Sequence, residues 1–160
     1  MEVHIEQMRP EHLPEVAEVA RESFSHPWSW LSLRQAMDSP GSLARVALSE
    51  GRVLGYAFAK RVLDEAEILA LAVREGARRR GVGRALAQEV LRVLEASCVR
   101  TVRLEVRESN EAARNLYGQL GFRAVFRRAG YYASPREDAV LMKKELRPPV
   151  ACFPTSAQCP

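Results

Sequence analysis

The residues Arg78-Arg79-Arg80-Gly81-Val82-Gly83 stand between an apolar run and a helical pattern, and those types at that spacing can hold phosphate. A helix start exposes unpaired N–H groups and about half a positive charge. Gly81 and Gly83 let the backbone approach an anion and the arginines add field, so a pyrophosphate would fit there. The same residues also suit a tight turn in which glycine serves geometry and arginine serves solubility. Neither the GxGxxG pattern of a dinucleotide-binding unit nor the GxxxxGK[ST] of a P-loop is present. Further along, the run 101–106 carries Glu105 and the next helical stripe carries Tyr117. A carboxylate partly buried on an apolar strand would rise in pKa and become a better base. A phenol keeps its proton at neutral pH and can donate it. On residue types alone, a pairing of Glu105 with Arg103 or Arg107 is favoured, and Tyr117 reads as packing with one satisfied hydroxyl.

The elements that must position these groups are legible from periodicity. HIEQM reads as a strand, and Leu13, Val16, Ala17 and Ala20 predict a helix from Pro10 to about Ser23. A second helix is expected to begin near Ser29, and strands over 42–49 and 52–61 join at Glu50-Gly51. The run 66–73 is apolar on both faces, as a central strand covered on both sides would be. A helix over 83–97, a strand over 101–106 and a helix ended by Gly121 follow. Strands near 122–128 and 138–145 close the domain, with YYASPRE between them. The order is β-α-α-β-β-β-α-β-α-β-β, an α/β (α+β) domain over 1–146. From Arg147 onward the chain is proline-rich without periodicity and is expected to be a tail lacking fixed structure.

At 160 residues, 47% hydrophobic and 28% charged, the chain has the size and composition of one folded core. No stretch approaches a membrane span and the first residues lack a signal-peptide pattern, so a cytoplasmic location is expected, with no membrane partner. A net charge of +4 suits a polyanionic ligand but falls short of a nucleic-acid arm, and no nucleic-acid partner is expected. Cys98, Cys152 and Cys159 are odd in number and lack metal-ligand spacing. Free thiols and no metal site are the expectation.

The stretch from Arg78 to Gly83 matches the [QR]xxGx[GA] acyl-CoA pyrophosphate loop of GNAT acetyltransferases, and the resemblance continues. LEVRESNEAARNLYGQLGF at 104–122 looks like that family's next strand and helix. VLDEA at 62–66, GYY at 130–132 and REDAVLM at 136–142 resemble its RimI type, which acetylates the N-terminal alanine of a small-subunit ribosomal protein. The likeness spans roughly residues 3–146; Ala70, Gly76-Ala77 and Gly118 depart from the usual pattern. It implies a mixed, mostly antiparallel sheet of six or seven strands with helices on both faces. Acetyl-CoA would enter where two parallel strands diverge, its pantetheine arm on the backbone of Leu71, Ala72 and Val73. Its pyrophosphate would lie on Arg78, Arg79, Arg80, Gly81, Val82, Gly83 and Arg84. Asn110, by itself a helix cap, and Tyr117 would also meet the cofactor.

The resemblance further implies Glu105 as general base and Tyr117 as general acid. Forming an amide from a thioester needs an uncharged amine and a proton for the departing thiolate, tasks that a carboxylate and a phenol can perform. An α-amine with a reference pKa near 8 costs about 1 kcal/mol to neutralise at pH 7, against roughly 4 to 5 for lysine, so a modest base suits a peptide N-terminus. Tyr131 and Tyr132, with Glu137 and Asp138 nearby, are candidates for holding that peptide, though paired tyrosines and a solvated acidic turn read equally well. Two rivals stay open: a GNAT enzyme for lysine side chains or small amines, and a non-catalytic acyl-CoA-sensing or nucleic-acid-binding module.

Overall fold

The computed structural model describes residues 2–153; Cys159 and the remainder of 154–160 lie outside the described residues. Strand β1 (His4–Gln7) leads through a 3-10 turn (Pro10–His12) into α1 (Leu13–Ser23) and α2 (Trp30–Asp38). Strands β2 (Ser42–Ser49), β3 (Arg52–Val62) and β4 (Glu65–Val73) follow, then α3 (Val82–Ala96), β5 (Thr101–Arg107) and α4 (Glu111–Gln119). Strands β6 (Arg123–Ala133) and β7 (Arg136–Glu145) complete the order that periodicity predicts. All seven strands form one sheet, β1-β2-β3-β4-β5-β7-β6, antiparallel except where β4 lies beside β5.

Helices α1 and α2 bury Leu13, Val16, Val19 and Leu33 in a core with Val46, Tyr56 and Phe58 on one face of the sheet. On the other face Leu86, Val90 and Leu94 of α3 and Tyr117 of α4 share a core with Ala57, Ile68, Leu104 and Val140. Each helix thus buries its apolar stripe, the main source of its stability. Helix α2 starts where expected because the Ser29 hydroxyl accepts from Ser32 N–H at 3.1 Å. The end of β4 is pinned to α1 by Arg74, whose guanidinium reaches Glu15, Glu18 and Glu22 at 3.3, 3.2 and 3.5 Å. The same side chain donates to the Val53 carbonyl at 2.9 Å, so the loop after β4 leaves from a fixed point.

Four expectations are corrected. β4 is covered on both sides only in part: Leu69 is 40% exposed, because α1 and α2 shield the β1–β4 end of the sheet and leave its face over β5 and β7 open. β6 runs on through Tyr131 and Tyr132 to Ala133, and the connection to β7 shrinks to Ser134-Pro135. The stretch 147–153 has fixed structure: Arg147 N–H donates to Glu95 at 2.8 Å, Val150–Cys152 forms a 3-10 turn, and Arg100 stacks on Phe153 at 4.3 Å. Cys98 and Cys152 are joined as a disulfide, not free thiols. Their separation of 54 residues hides the pairing from any local reading; the end of α3 and the chain after β7 meet only in the fold.

Candidate active site

Gly81 precedes α3 at φ +81, a left-handed conformation that glycine adopts without strain. It has no side chain to cap the helix and the first turn carries no acid, so the leading N–H groups keep no side-chain acceptor. Arg78 braces the loop, donating to the Val73 carbonyl at 2.9 Å and to Ser23 at 3.3 Å, and Arg84 donates to Gln119. Arg79 and Arg80 are exposed and make no ion pair among the described residues. Uncapped amides beside two uncommitted cations form a cradle that fits a pyrophosphate.

The strands in front of this helix part. β4 pairs with β5 only from Glu65↔Thr101 to Ile68↔Leu104, although β4 continues to Val73 and β5 to Arg107. A bulge at Leu69, seen as the jump from Ala59↔Ile68 to Phe58↔Ala70, starts the divergence. Beyond it Leu71, Ala72 and Val73 pair with Ala57, Tyr56 and Gly55 on one side and leave their β5-facing edge without a strand. Such an edge can pair with an extended amide-bearing chain, as the pantetheine arm is. Gly83 sits over this edge, its absent Cβ 3.5 Å from Val73 and 3.7 Å from Leu71.

Glu105 faces the open side of the sheet with 19% of its side chain exposed. A groove of about 360 Å³ runs over it, lined also by Lys60, Glu67, Arg103, Arg128 and Leu141. The arginines suspected of neutralising Glu105 are engaged elsewhere: Arg103 with Glu65 at 2.8 Å and Arg107 with Glu137 at 3.4 Å. Its ionic partner is Arg128, at 3.6 Å. Arg128 also stacks on the Tyr131 ring at 5.1 Å, and the nearby Glu105 carboxylate holds this phenol above its ordinary pKa. Tyr132 lies under Arg107 at 4.3 Å, and burial, then Glu105, raises its pKa too. Glu137 and Asp138 are spent on the fold: Glu137 accepts from Ser109 N–H at 2.5 Å and Asp138 from Gly130 N–H at 2.9 Å.

Tyr117 is buried to 6% exposure and packs edge-on against Phe122 at 5.4 Å. Its hydroxyl has no hydrogen-bond partner among the described residues, yet no buried polar side-chain atom there is left unpartnered, so the oxygen retains contact with solvent. Burial pushes the phenol well above its ordinary pKa and keeps the proton on it. Asn110 caps α4, its Oδ1 accepting from Ala113 N–H at 3.1 Å, which leaves its amide NH₂ able to donate outward.

A loop for an anion, a free strand edge and a carboxylate groove thus meet in one sheet, and residues 7–122 match the Acetyltransferase (GNAT) family. The chain belongs to the GNAT acetyltransferases. It is 35% identical over 133 residues to the ribosomal protein bS18-alanine N-acetyltransferase of Escherichia coli K12, covering 81% of this chain and 88% of that one. The same enzyme of Haemophilus influenzae is 34% identical over 128 residues, 78% and 86% of the two chains. The crystal structure of the ribosomal-protein-S18-alanine N-acetyltransferase from Escherichia coli superposes with a TM-score of 0.86 at 30% identity, over 96% of this chain and 100% of that one. Ard1 from Thermoplasma volcanium follows at 0.84 and 26%, over 91% and 98%.

Two groups of this GNAT site escape sequence reasoning. Arg128 reaches Glu105 across β7, a contact that exists only because β7 lies between β5 and β6. Glu67 enters the groove from β4, and its place in a run dominated by apolar residues conceals an exposed carboxylate; alternation along 65–69 is the signal that could have found it.

Proposed function

We propose that this GNAT enzyme acetylates the α-amine of a protein N-terminus with acetyl-CoA as donor, the N-terminal alanine of ribosomal protein bS18 being its acceptor. The observation that carries the reading is Glu105, a carboxylate in an open groove and the first β5 residue past the point where β4 and β5 stop pairing. The likeness to bS18-alanine N-acetyltransferases over most of the chain points to the acceptor.

The donor supplies an acyl group already activated as a thioester. Arg79, Arg80 and the amides of Gly81, Val82, Gly83 and Arg84 bind its pyrophosphate, with Arg78 bracing the loop. The backbone of Leu71, Ala72 and Val73 aligns its amide-bearing arm, and the Asn110 amide donates to the same ligand. Glu105 takes the proton that the attacking amine must lose, directly or through water. Tyr117, kept protonated by burial, returns a proton to the departing sulfur. Tyr131 and Tyr132, on β6 next to the Arg128 that pairs with Glu105, hold the first residues of the acceptor. Holding both reactants on one surface makes the transfer effectively unimolecular, so no covalent enzyme intermediate is needed.

A ribosomal acceptor places the enzyme in the cytoplasm, where reducing conditions act against the Cys98–Cys152 bond. Among the described residues no helix is long and apolar enough to cross a membrane.

Release of CoA thiol tests the acceptor class, using a hexapeptide beginning Ala-Arg beside an N-terminally blocked peptide containing lysine. Turnover confined to the free N-terminus is expected. Turnover confined to the lysine peptide contradicts the assignment.

A further inference from the structure

α3 ends at Ala96, and the chain turns toward β5 through Ser97 and Cys98. Cys98 stands at φ +70, the left-handed conformation that glycine usually supplies after a helix. It is exposed, so packing does not account for a cysteine there. Its sulfur is bonded to Cys152, 54 residues further on, with the two Cα atoms 5.5 Å apart.

Few other contacts hold the segment that carries Cys152. Leu146 still packs against the core, and its N–H donates to the Arg100 carbonyl at 2.7 Å. Beyond it, the Arg147 N–H reaches Glu95 at 2.8 Å, a single 3-10 turn spans Val150–Cys152, and Phe153 lies under Arg100 at 4.3 Å. Val150 is 81% exposed. One hydrogen bond, one isolated turn and one surface cation–π contact hold a segment only weakly, so the covalent bond is its main fastening. That bond also closes a ring through β5, α4, β6 and β7. The ring includes Glu105, Tyr117 and Arg128, while the donor loop 78–84 lies outside it.

We propose that Cys98 and Cys152 form a reversible thiol switch: oxidised, they strap residues 147–153 to the end of α3; reduced, they release them. In the cytoplasm, where the proposed acceptor places the enzyme, a disulfide is typically transient, and an exposed sulfur is open to exchange. Peroxide converts one thiol to a sulfenic acid with loss of water, and the second thiol displaces a second water as the S–S bond forms. A small dithiol reverses this. One of its sulfurs attacks Cys98, breaking the S–S bond and leaving Cys152 as a thiol. Its second sulfur then frees Cys98, so that two electrons and two protons pass to the protein.

The test follows the full chain after hydrogen peroxide and after dithiothreitol, beside Cys152→Ser and Cys159→Ser under both conditions. Peptide mapping without reduction is expected to join Cys98 to Cys152 in the peroxide-treated protein and to leave Cys159 open to alkylation. Reduction is expected to speed deuterium uptake by residues 147–153 about tenfold or more and to lower the melting temperature by about 10 °C. Cys152→Ser should match reduced wild type in both conditions, whereas Cys159→Ser should keep the full response. Deuterium uptake that is the same in both forms overturns the proposal, because the weaker contacts then hold the segment unaided. So does a melting temperature indifferent to reduction, or peroxide-treated protein in which Cys98 and Cys152 are both alkylated or either is joined to Cys159.

Discussion

At the donor end, Arg78 to Arg84 are consecutive in the chain and one helix start places them all. At the acceptor end, Glu67, Glu105, Leu141 and Arg128 come from β4, β5, β7 and β6, and the groove exists only after the sheet has assembled. The donor loop is held by local means: a left-handed glycine, an arginine on a nearby carbonyl and the Arg74 anchor to α1. The acceptor groove is held by cross-strand ion pairs, cation–π stacks and a bulge. A locally built subsite tolerates change elsewhere, and under the proposed function it has one job, the binding of phosphate. A subsite gathered from distant strands places several proton-active groups together, and the proposed function assigns chemistry and acceptor choice to it.

The contrast can be broken at either end. Removing the Tyr117 hydroxyl with Tyr117→Phe is expected to lower kcat by about 10²-fold, the lower range for a positioned acid, with little change in the donor KM. Its burial sets the pH behaviour. A phenol whose pKa is raised keeps its proton up to and beyond the ordinary value of 10.0, so its ionisation causes no fall in kcat on the alkaline side below that point. A descending limb near pH 9 that is present in wild type and absent in Tyr117→Phe would count against this role. At the donor end, Arg79→Gln/Arg80→Gln is expected to raise the donor KM about tenfold at low salt and leave kcat with saturating donor near wild type. Because both arginines are exposed, that difference should shrink as ionic strength rises; an effect that persists in 1 M salt would mean they act by packing instead.

The same contrast explains what the sequence discloses. Alternation around Glu50-Gly51 and the stripes Leu13-Val16-Ala17-Ala20 and Ala87-Val90-Leu91-Leu94 are local, and the structure returns those elements with ends shifted by at most three residues, Pro10–His12 being a 3-10 turn before α1. The Arg78–Gly83 loop is local too, and it leads directly into α3 as its position in the sequence predicts. The open half of β4 is legible only through the family resemblance, because an apolar run by itself looks alike whether a helix or a ligand lies against it. Arg128 was not legible as the partner of Glu105, since 23 residues and one intervening strand separate them. Cys98 and Cys152 likewise carry no local sign of each other.

The most direct test of the division of labour is a pair of measurements on Glu105→Gln, turnover with the Ala-Arg hexapeptide and the dissociation constant for acetyl-CoA. A general base remote from the donor loop predicts a kcat lowered by about 10²-fold or more with acetyl-CoA affinity unchanged. A wild-type kcat in Glu105→Gln, or a loss that tracks weakened acetyl-CoA binding, would contradict it.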